Sequence, residues 1–421
     1  LTTRASGSFS ITFPDAAPTT WSFTAFVTSF EPGAPVDPDS DAVRLLQQAS
    51  FGPTLAQIAR VRTLGAAGWI GEQMQMPASL QMPYMTWFQM QGADISTLRV
   101  EIWFHHALGG PSLIQPGTLH QDQLRQRVAF ALSQLFVVSD RLAAIGSYPM
   151  TTTSYYDVLI ANAFGNYRDL LEQVTLHPAM GRFLSMLGNR KNDPVLNIRP
   201  DENYAREIMQ LFTIGLWELN PDGTQRLDTD GQPIPTYTND DIRQLARAFT
   251  GLCRPDLASN LYTDPNPSAG TISNMRTRFG ISNNLTRAQM LFDNPDLRQK
   301  HFHYLYEWGA KRALGGRVDI TEGTDPVTNL TIVHDALFNH PNTPPFVARR
   351  FIQMLVKSNP TPAYVARVAA KFIDNGFGVR GDMKALWTAI LCDPEASYDG
   401  AIDEHGGRVR DGFECWIHWL R

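Results

Sequence analysis

Hydrophobic positions alternate at period two only near the start of the chain. Phe9, Ile11 and Phe13 alternate with Ser10 and Thr12; Trp21, Phe23, Ala25 and Val27 alternate with Ser22, Thr24, Phe26 and Thr28. Alternation built from Ser, Thr and aromatics predicts two short strands, with Pro14 and Pro18 breaking the connection between them. Two strands alone are not stable in water. Residues 1–36 are therefore expected to be the end of an upstream β-sandwich module, or a β-arm lying on the rest of the chain. Glu31 to Pro38, with prolines at 32, 35 and 38, has the composition of a linker.

From Asp39 the period becomes helical. Asp39 or Ser40 can cap a helix carrying Val43, Leu45, Leu46 and Ala49, and Ser50-Phe51-Gly52-Pro53 ends it. Thr54 caps the next, with Leu55, Ile58 and Val61 on one face, and 66–76 reads as a third. The spans 95–108 and 118–139 follow, the latter with Leu124, Val128, Ala131, Leu132, Leu135 and Phe136 at helical spacing. Further helices are predicted at 153–163, 167–176, 203–215, 239–252, 329–339, 343–357, 362–375, 381–392 and 408–421. Trp217 to Thr238 breaks the period with Asp222-Gly223, Asp230-Gly231 and prolines at 221, 233 and 235, which predicts a β-hairpin excursion. A second irregular stretch, 254–285, is rich in Asn, Asp, Pro and Ser and reads as a long loop or lid. The fold class expected is mainly α: a large multi-helix domain over 37–421, preceded by the β-segment 1–36.

Composition supports a packed protein. Of 421 residues, 43% are hydrophobic and 18% charged, which excludes wholesale disorder. The formal net charge is −5, the opposite of what a phosphate-neutralising nucleic-acid binder carries. No run of about 18 apolar residues exists, so no membrane-spanning helix is expected. Cys253, Cys392 and Cys415 form no CxxC spacing, so zinc-ribbon, thioredoxin and c-type haem motifs are missing and at most one disulfide can form. The chain starts at Leu1 and its last helix runs to Leu420-Arg421, which suggests a trimmed fragment.

The densest cluster of chemical groups is Arg199-Pro-Asp-Glu-Asn-Tyr-Ala-Arg-Glu-Ile-Met-Gln-Leu-Phe-Thr-Ile-Gly215. Pro200 and Asp201 look like a helix start. Glu202, Arg206 and Met209 then share one face, and Asn203, Glu207 and Gln210 an adjacent one. A carboxyl drawn into an apolar interior has a raised pKa and can serve as general acid or base, while a neighbouring guanidinium keeps it ionised. On this reading Glu202, Glu207 and Arg206 are the candidate catalytic residues, with Asn203 and Tyr204 binding substrate. The competing reading makes them an ion-pair lattice with arginines from other helices. Arg125 and Arg127 on the long helix are candidates for such pairing, or for clamping an acidic substrate bidentately.

Pro200-Asp-Glu-Asn-Tyr-Ala-Arg-Glu-x-x-x-Leu-Phe-Thr-x-Gly resembles the signature of the DUF1800 family, large bacterial proteins of unknown function. Leu45-Leu-Gln-Gln-Ala-Ser-Phe-Gly-Pro-Thr54 is similar to the family's opening helix and turn. Gly165-Asn-Tyr-Arg-Asp-Leu-Leu with His177-Pro-Ala-Met180 resembles its central stretch, and Asp240-Asp-Ile-Arg-x-Leu-Ala-Arg-Ala-Phe-Thr-Gly251 the helix after the signature. His303, Lys311 and Leu314-Gly315 resemble a later element, which adds His303 and Lys311 to the candidate binding residues. The chain departs from the family in carrying Asp201 where Asn is common, Leu132-Ser-Gln-Leu-Phe136 in place of a Trp-His-Asn-His stretch, and Tyr304 after His303. The resemblance implies the helical architecture and an extracytoplasmic location, and no activity.

Other groups carry weaker signals. His105-His106 are adjacent on a helix and do not share a face, and His301-Phe-His303 has no acidic or Cys partner close by. His177, before Pro178, suits a helix junction. Asp222, Asp228 and Asp230 offer half of a calcium loop, without the glutamate an EF-hand needs. GxSxG, HExxH, Walker and GxGxxG motifs are absent. No metal or other cofactor is predicted, with calcium at the Asp loop as the alternative. Three readings follow: an exported carboxylate-based hydrolase or lyase with a polymeric or glycan substrate, a non-catalytic cell-surface scaffold whose β-segment docks a protein partner, and a metal or redox-cofactor protein built on His301, His303 and the Asp-rich loop.

Overall fold

Side-chain caps set most helix starts, and the result in a computed structural model of the chain is a mainly α protein. The structure describes residues 2–11, 19–28, 39–141, 143–146, 149–253, 291–292, 306–397 and 407–421. Strands β1 (Thr2–Ile11) and β2 (Thr19–Thr28) pair antiparallel, from Thr2 opposite Thr28 to Ile11 opposite Thr19. Helices α1 (Ser40–Ala49), α2 (Leu55–Gln75), α3 (Met82–Met90), α4 (Leu98–Leu108) and α5 (Gln123–Leu135) follow. Then come α6 (Ala143–Gly146), α7 (Pro149–Asn162), α8 (Tyr167–Leu176), α9 (Pro178–Phe183), α10 (Asn203–Gln210) and α11 (Asn239–Ala248). Short strand pairs follow: β3 (Leu252–Cys253) with β4 (Leu291–Phe292), and β5 (Lys311–Ala313) with β6 (Val318–Ile320). Helices α12 (Pro326–Phe338), α13 (Thr343–Leu355), α14 (Pro362–Ile373), α15 (Met383–Leu391) and α16 (Gly412–Leu420) complete the chain.

Thr54 accepts the Gln57 N–H, Asp325 those of Val327 and Thr328, and Thr361 that of Tyr364; Pro326 and Pro362 stand next to their caps, where no N–H is needed. The helices expected from Thr54 and at 66–76 are both present within α2, joined at Gly65, whose φ 70° and ψ 169° are not helical. The signature helix ends at Gln210, short of the expected 215. Gly215 has φ 70°, and a Cβ there would sit 2.7 Å from the Phe346 ring, so the chain leaves the helix through a turn that only glycine fits. Residues 217–238 form the expected excursion, through isolated antiparallel bridges Trp217–Pro235, Leu219–Gln225 and Leu227–Pro233.

The chain divides into two compact units. The first comprises residues 1–134, 159–165 and 348–421. In it α14 packs on α15, α1 on α2, and β2 runs beside α16. Its core includes Leu46, Trp69, Met85, Val128, Phe351 and Trp387, all 1% exposed or less. The Trp387 indole donates to Ala163 O at 2.7 Å and meets the Phe351 ring edge-on at 4.7 Å. The second unit comprises residues 135–158 and 166–347. There α8 packs on α12, α10 on α11, and α11 on β5. Asn342 donates to Ile214 O and Trp217 O and accepts from Leu219 N at 2.7 Å, which fixes the turn after the signature helix.

Candidate functional site

The signature segment stands in the second unit, and its groups separate into three environments. Tyr204 is buried at 1% exposure. Its hydroxyl lies 2.6 Å from Thr175 Oγ1, which lies 2.7 Å from His334 Nε2. Thr175 spends its own hydrogen on Leu171 O, so it accepts from both. Tyr204 is thus a core group, with burial pushing its phenol up. Glu202 and Arg206 are at the surface, 42% and 41% exposed, with a 3.5 Å contact one turn apart. Asn203 is exposed and gives its backbone N–H to Asp201 Oδ1 at 2.9 Å.

Glu207 is half-buried, and its Oε2 has no hydrogen-bond partner among the described residues. Burial raises its carboxyl, opposed by the nearby Arg206 cation. The Tyr237 phenol is raised by burial in the same neighbourhood, where Arg206 and Glu207 act on it, and it donates to Gln210 Oε1 at 3.1 Å. An exposed pair one turn apart contributes a few tenths of a kcal/mol. Replacing Glu202 by Gln is therefore expected to change the unfolding free energy by less than about 0.5 kcal/mol, and Glu207→Gln to be neutral or stabilising. Urea titration of both variants checks this; a loss above about 2 kcal/mol at either position would restore the buried ion-pair lattice.

The other predicted residues lie apart from this helix in their bonding. Arg127, 1% exposed, pairs with Glu414 at 2.6 Å and donates to Met354 O at 2.8 Å; burial lowers its guanidinium to about 10. Arg125 donates to Met76 O and Ile160 O and stacks over Phe164 at 4.4 Å, its nearest carboxylate being Asp122 at 3.9 Å. The expected pairing of Arg125 and Arg127 with Glu202 and Glu207 is therefore replaced by partners within the first unit, because both side chains are taken up by helix packing there. Lys311 is 2% exposed, and its Nζ donates to Glu307 O at 2.6 Å and Gly309 O at 3.0 Å. Burial, with Arg247 nearby, lowers its ammonium to about 8. His303, His301 and the 254–285 stretch lie outside the described residues.

Asp222 and Asp228 close their own turns: Asp222 Oδ1 accepts from Thr224, and Asp228 Oδ1 from the backbone of Asp230 and Gln232. Among the described residues no three His, Cys, Asp or Glu side chains are grouped to hold a metal ion. His177 Nδ1 accepts the Ala179 N–H at 3.1 Å, so its neutral ring carries hydrogen on Nε2, which faces Ser154 Oγ at 3.2 Å. Ser154 donates to Thr151 O, so this pair is not a base poised on a nucleophile.

The concave feature in this region lies just ahead of α10. A cavity of about 650 Å³ is lined by residues between Gly181 and Asp201, among them Arg182, Ser185, Asn189, Arg190, Asn197, Arg199 and Asp201. Helix α9 is only six residues long, and Ser185 turns the chain out of it at φ 60°. Asn197 has φ 51°. A serine in the left-handed region costs about 1 kcal/mol, and such residues gather where a loop must hold an unusual shape. Asn189 locks that shape. Its Oδ1 accepts from Asp201 N at 2.8 Å and Arg190 N at 3.0 Å, and its Nδ2 donates to Asp201 O at 3.2 Å. Three arginines and one aspartate are among the lining residues, a charge balance biased toward anions.

Asp201 of the signature and Arg199 just before it thus line the cavity, while Glu202, Arg206 and Glu207 are not among its lining residues. A family model described as a protein of unknown function, DUF1800, matches residues 44–421. The chain belongs to the DUF1800 family. Nothing among curated proteins or solved structures matches it. In this DUF1800 protein, Ser185, Asn189, Arg190 and Asn197 are cavity residues that sequence reading misses, because 184–198 has no hydrophobic period. The available signal was the density of Arg and Asn from 182 to 199, directly before the signature.

Proposed function

We propose that this DUF1800 protein binds an anionic ligand in the cavity between α9 and α10, carried by a surface or environmental polymer. The observation that carries the reading is the lining: Arg182, Arg190 and Arg199 around a space of about 650 Å³, shaped by a pinned loop. Cavities of this size take a molecule with many contacts. The export implied by the family resemblance would bring such polymers within reach. No helix among the described residues is long and apolar enough to cross a membrane. The carboxylate-based hydrolase or lyase expected from the sequence moves with the site. Asp201 is the carboxylate at the ligand, and among the described residues the lining supplies no second one for the paired-carboxyl chemistry of glycoside hydrolysis. Binding is the primary activity on this reading.

Calorimetric titration with citrate as a polyanionic probe tests it. A charge-assisted hydrogen bond contributes about 1.5–3 kcal/mol, so Arg199→Ala and Arg182→Ala should each weaken binding roughly 10- to 100-fold. Both arginines are exposed, so these variants should fold. No measurable citrate binding by the wild type, or equal binding by the alanine variants, would reject the site.

A further inference from the structure

Resting on the anion-binding reading of the cavity, we infer that its ligand is an acidic sugar residue, a carboxylate-bearing polyol, and not a bare inorganic anion. The lining contains more than cations. Asp201 adds a carboxylate-bearing residue to the three arginines, and Ser185, Asn189 and Asn197 add neutral polar ones. Asp201 Oδ1 already accepts the Asn203 N–H, and the carboxylate has further acceptor capacity. Sulfate presents only acceptor oxygens to a site, and phosphate near neutral pH adds one or two O–H groups, fewer donors than the hydroxyls of a polyol. A ligand that carries both an anionic group and hydroxyls uses both halves of the lining: guanidiniums take the carboxylate, and Asp201 accepts from an O–H.

Size and the remaining walls agree. The space is of the order that encloses a molecule of many non-hydrogen atoms, far more than one phosphate. Phe183, Leu187 and Ile198 contribute apolar lining, which suits the C–H face of a sugar ring. Arg190 is buried at 7% exposure while Arg182 and Arg199 are exposed, so the three lining arginines differ in their access to solvent. That graded access fits one charged residue held away from water while neighbouring acidic residues of a chain stay solvated.

Calorimetry on the full chain with three probes decides the matter: a trimer of galacturonic acid, the same trimer with its carboxyls reduced to alcohols, and inorganic phosphate. The acidic trimer should bind at least about tenfold more tightly than either of the others. Asp201→Asn keeps the acceptor that caps Asn203 but removes the charge. It should weaken the acidic trimer about tenfold, the difference between a charged and a neutral acceptor, and leave phosphate unchanged or tighter. Arg199→Ala should weaken every anionic probe. Phosphate binding as tight as the trimer, or Asp201→Asn leaving the trimer unaffected, overturns the sugar inference while the anion site stands. Failure of every anion to bind, with Arg199→Ala indistinguishable from wild type, overturns both.

Discussion

Lowering the pH from 7 toward 4 is expected to unfold this protein before its carboxylates lose their charge. Seven of the ten histidines fall among the described residues, and all seven are held below the ordinary 6.5. Burial is the largest cause in each. His105, His120, His340 and His418 stand at about 4, and His177 and His334 at about 3. His106 is lowered well below its usual value, at 0% exposure. Three of them form one cluster in the first unit, with ring centroids 4.2 Å apart for His106 and His120 and 5.3 Å for His105 and His120. There the first proton repels the next. His120 itself hydrogen-bonds the Tyr84 hydroxyl at 2.6 Å and Ser79 Oγ at 2.9 Å.

A group whose folded pKa is depressed by burial of its neutral form binds protons more readily when unfolded. The stability it lends is present above the unfolded pKa of about 6.5 and is lost as pH falls through the folded value. For a ring lowered to about 4, the loss approaches about 3 kcal/mol below both pKa values. Several such losses exceed the typical net stability of a domain. Thermal unfolding followed from pH 7.5 to 4 should therefore show a midpoint that falls steeply below pH 6.5, with net proton uptake on unfolding at pH 5.5. A flat midpoint across that range, or no proton uptake, would show the histidines to be solvated. His106→Phe should flatten the slope without opening a cavity.

The second large effect is expected at Glu414. Burial alone would raise this carboxyl; Arg127 and Arg408 outweigh it and hold it below the usual range. Arg408 binds it with two hydrogen bonds of 2.6 and 2.7 Å, and Arg127 reaches it at 2.6 Å. Glu414→Gln strands the Arg127 guanidinium at 1% exposure, so a loss of about 3–5 kcal/mol is expected. The double replacement Arg127→Met, Glu414→Met should recover only the part of that loss owed to the stranded Arg127, since Arg408, 10% exposed, still loses its carboxylate. Denaturant titration of the two singles and the double measures the coupling. Additive losses, or a single-variant cost below about 1 kcal/mol, would mean that water reaches the pair.

Much of the fold was legible because local rules set it. Thr54 announces a helix start that the structure keeps, the helix expected from 362 begins at Pro362, and the one expected from 329 begins three residues earlier behind the Asp325 cap; the Asp-Gly pairs at 222–223 and 230–231 announce the excursion. Misses came where tertiary packing overrode the period. Helix α3, with apolar residues around most of its surface, showed no usable stripe, and the signature helix ends at Gln210, with the chain turning at Gly215 against Phe346. The candidate cavity was legible only as a neighbourhood: the residues singled out from the signature are not among its lining, though the helix they stand on begins beside it. Asp201 of the signature and Arg199 just before it line the cavity, whereas the carboxylates singled out further along are one of a surface ion pair and a half-buried group. Helical spacing shows which groups share a face; it does not show which face borders open space. The loop residues 182–197 needed backbone geometry that no periodicity encodes.

Asn189 gives the cavity a property that its charges do not. One amide holds both the loop at Arg190 and the first residue of the signature segment, at Asp201, so loop and helix start are a single clamped piece before any ligand arrives. A ligand entering such a piece gives up its own freedom and little of the protein's. Affinity would then be governed by how fast the ligand leaves, and related acidic molecules would be ranked by fit to a fixed mould and not by their ability to induce one.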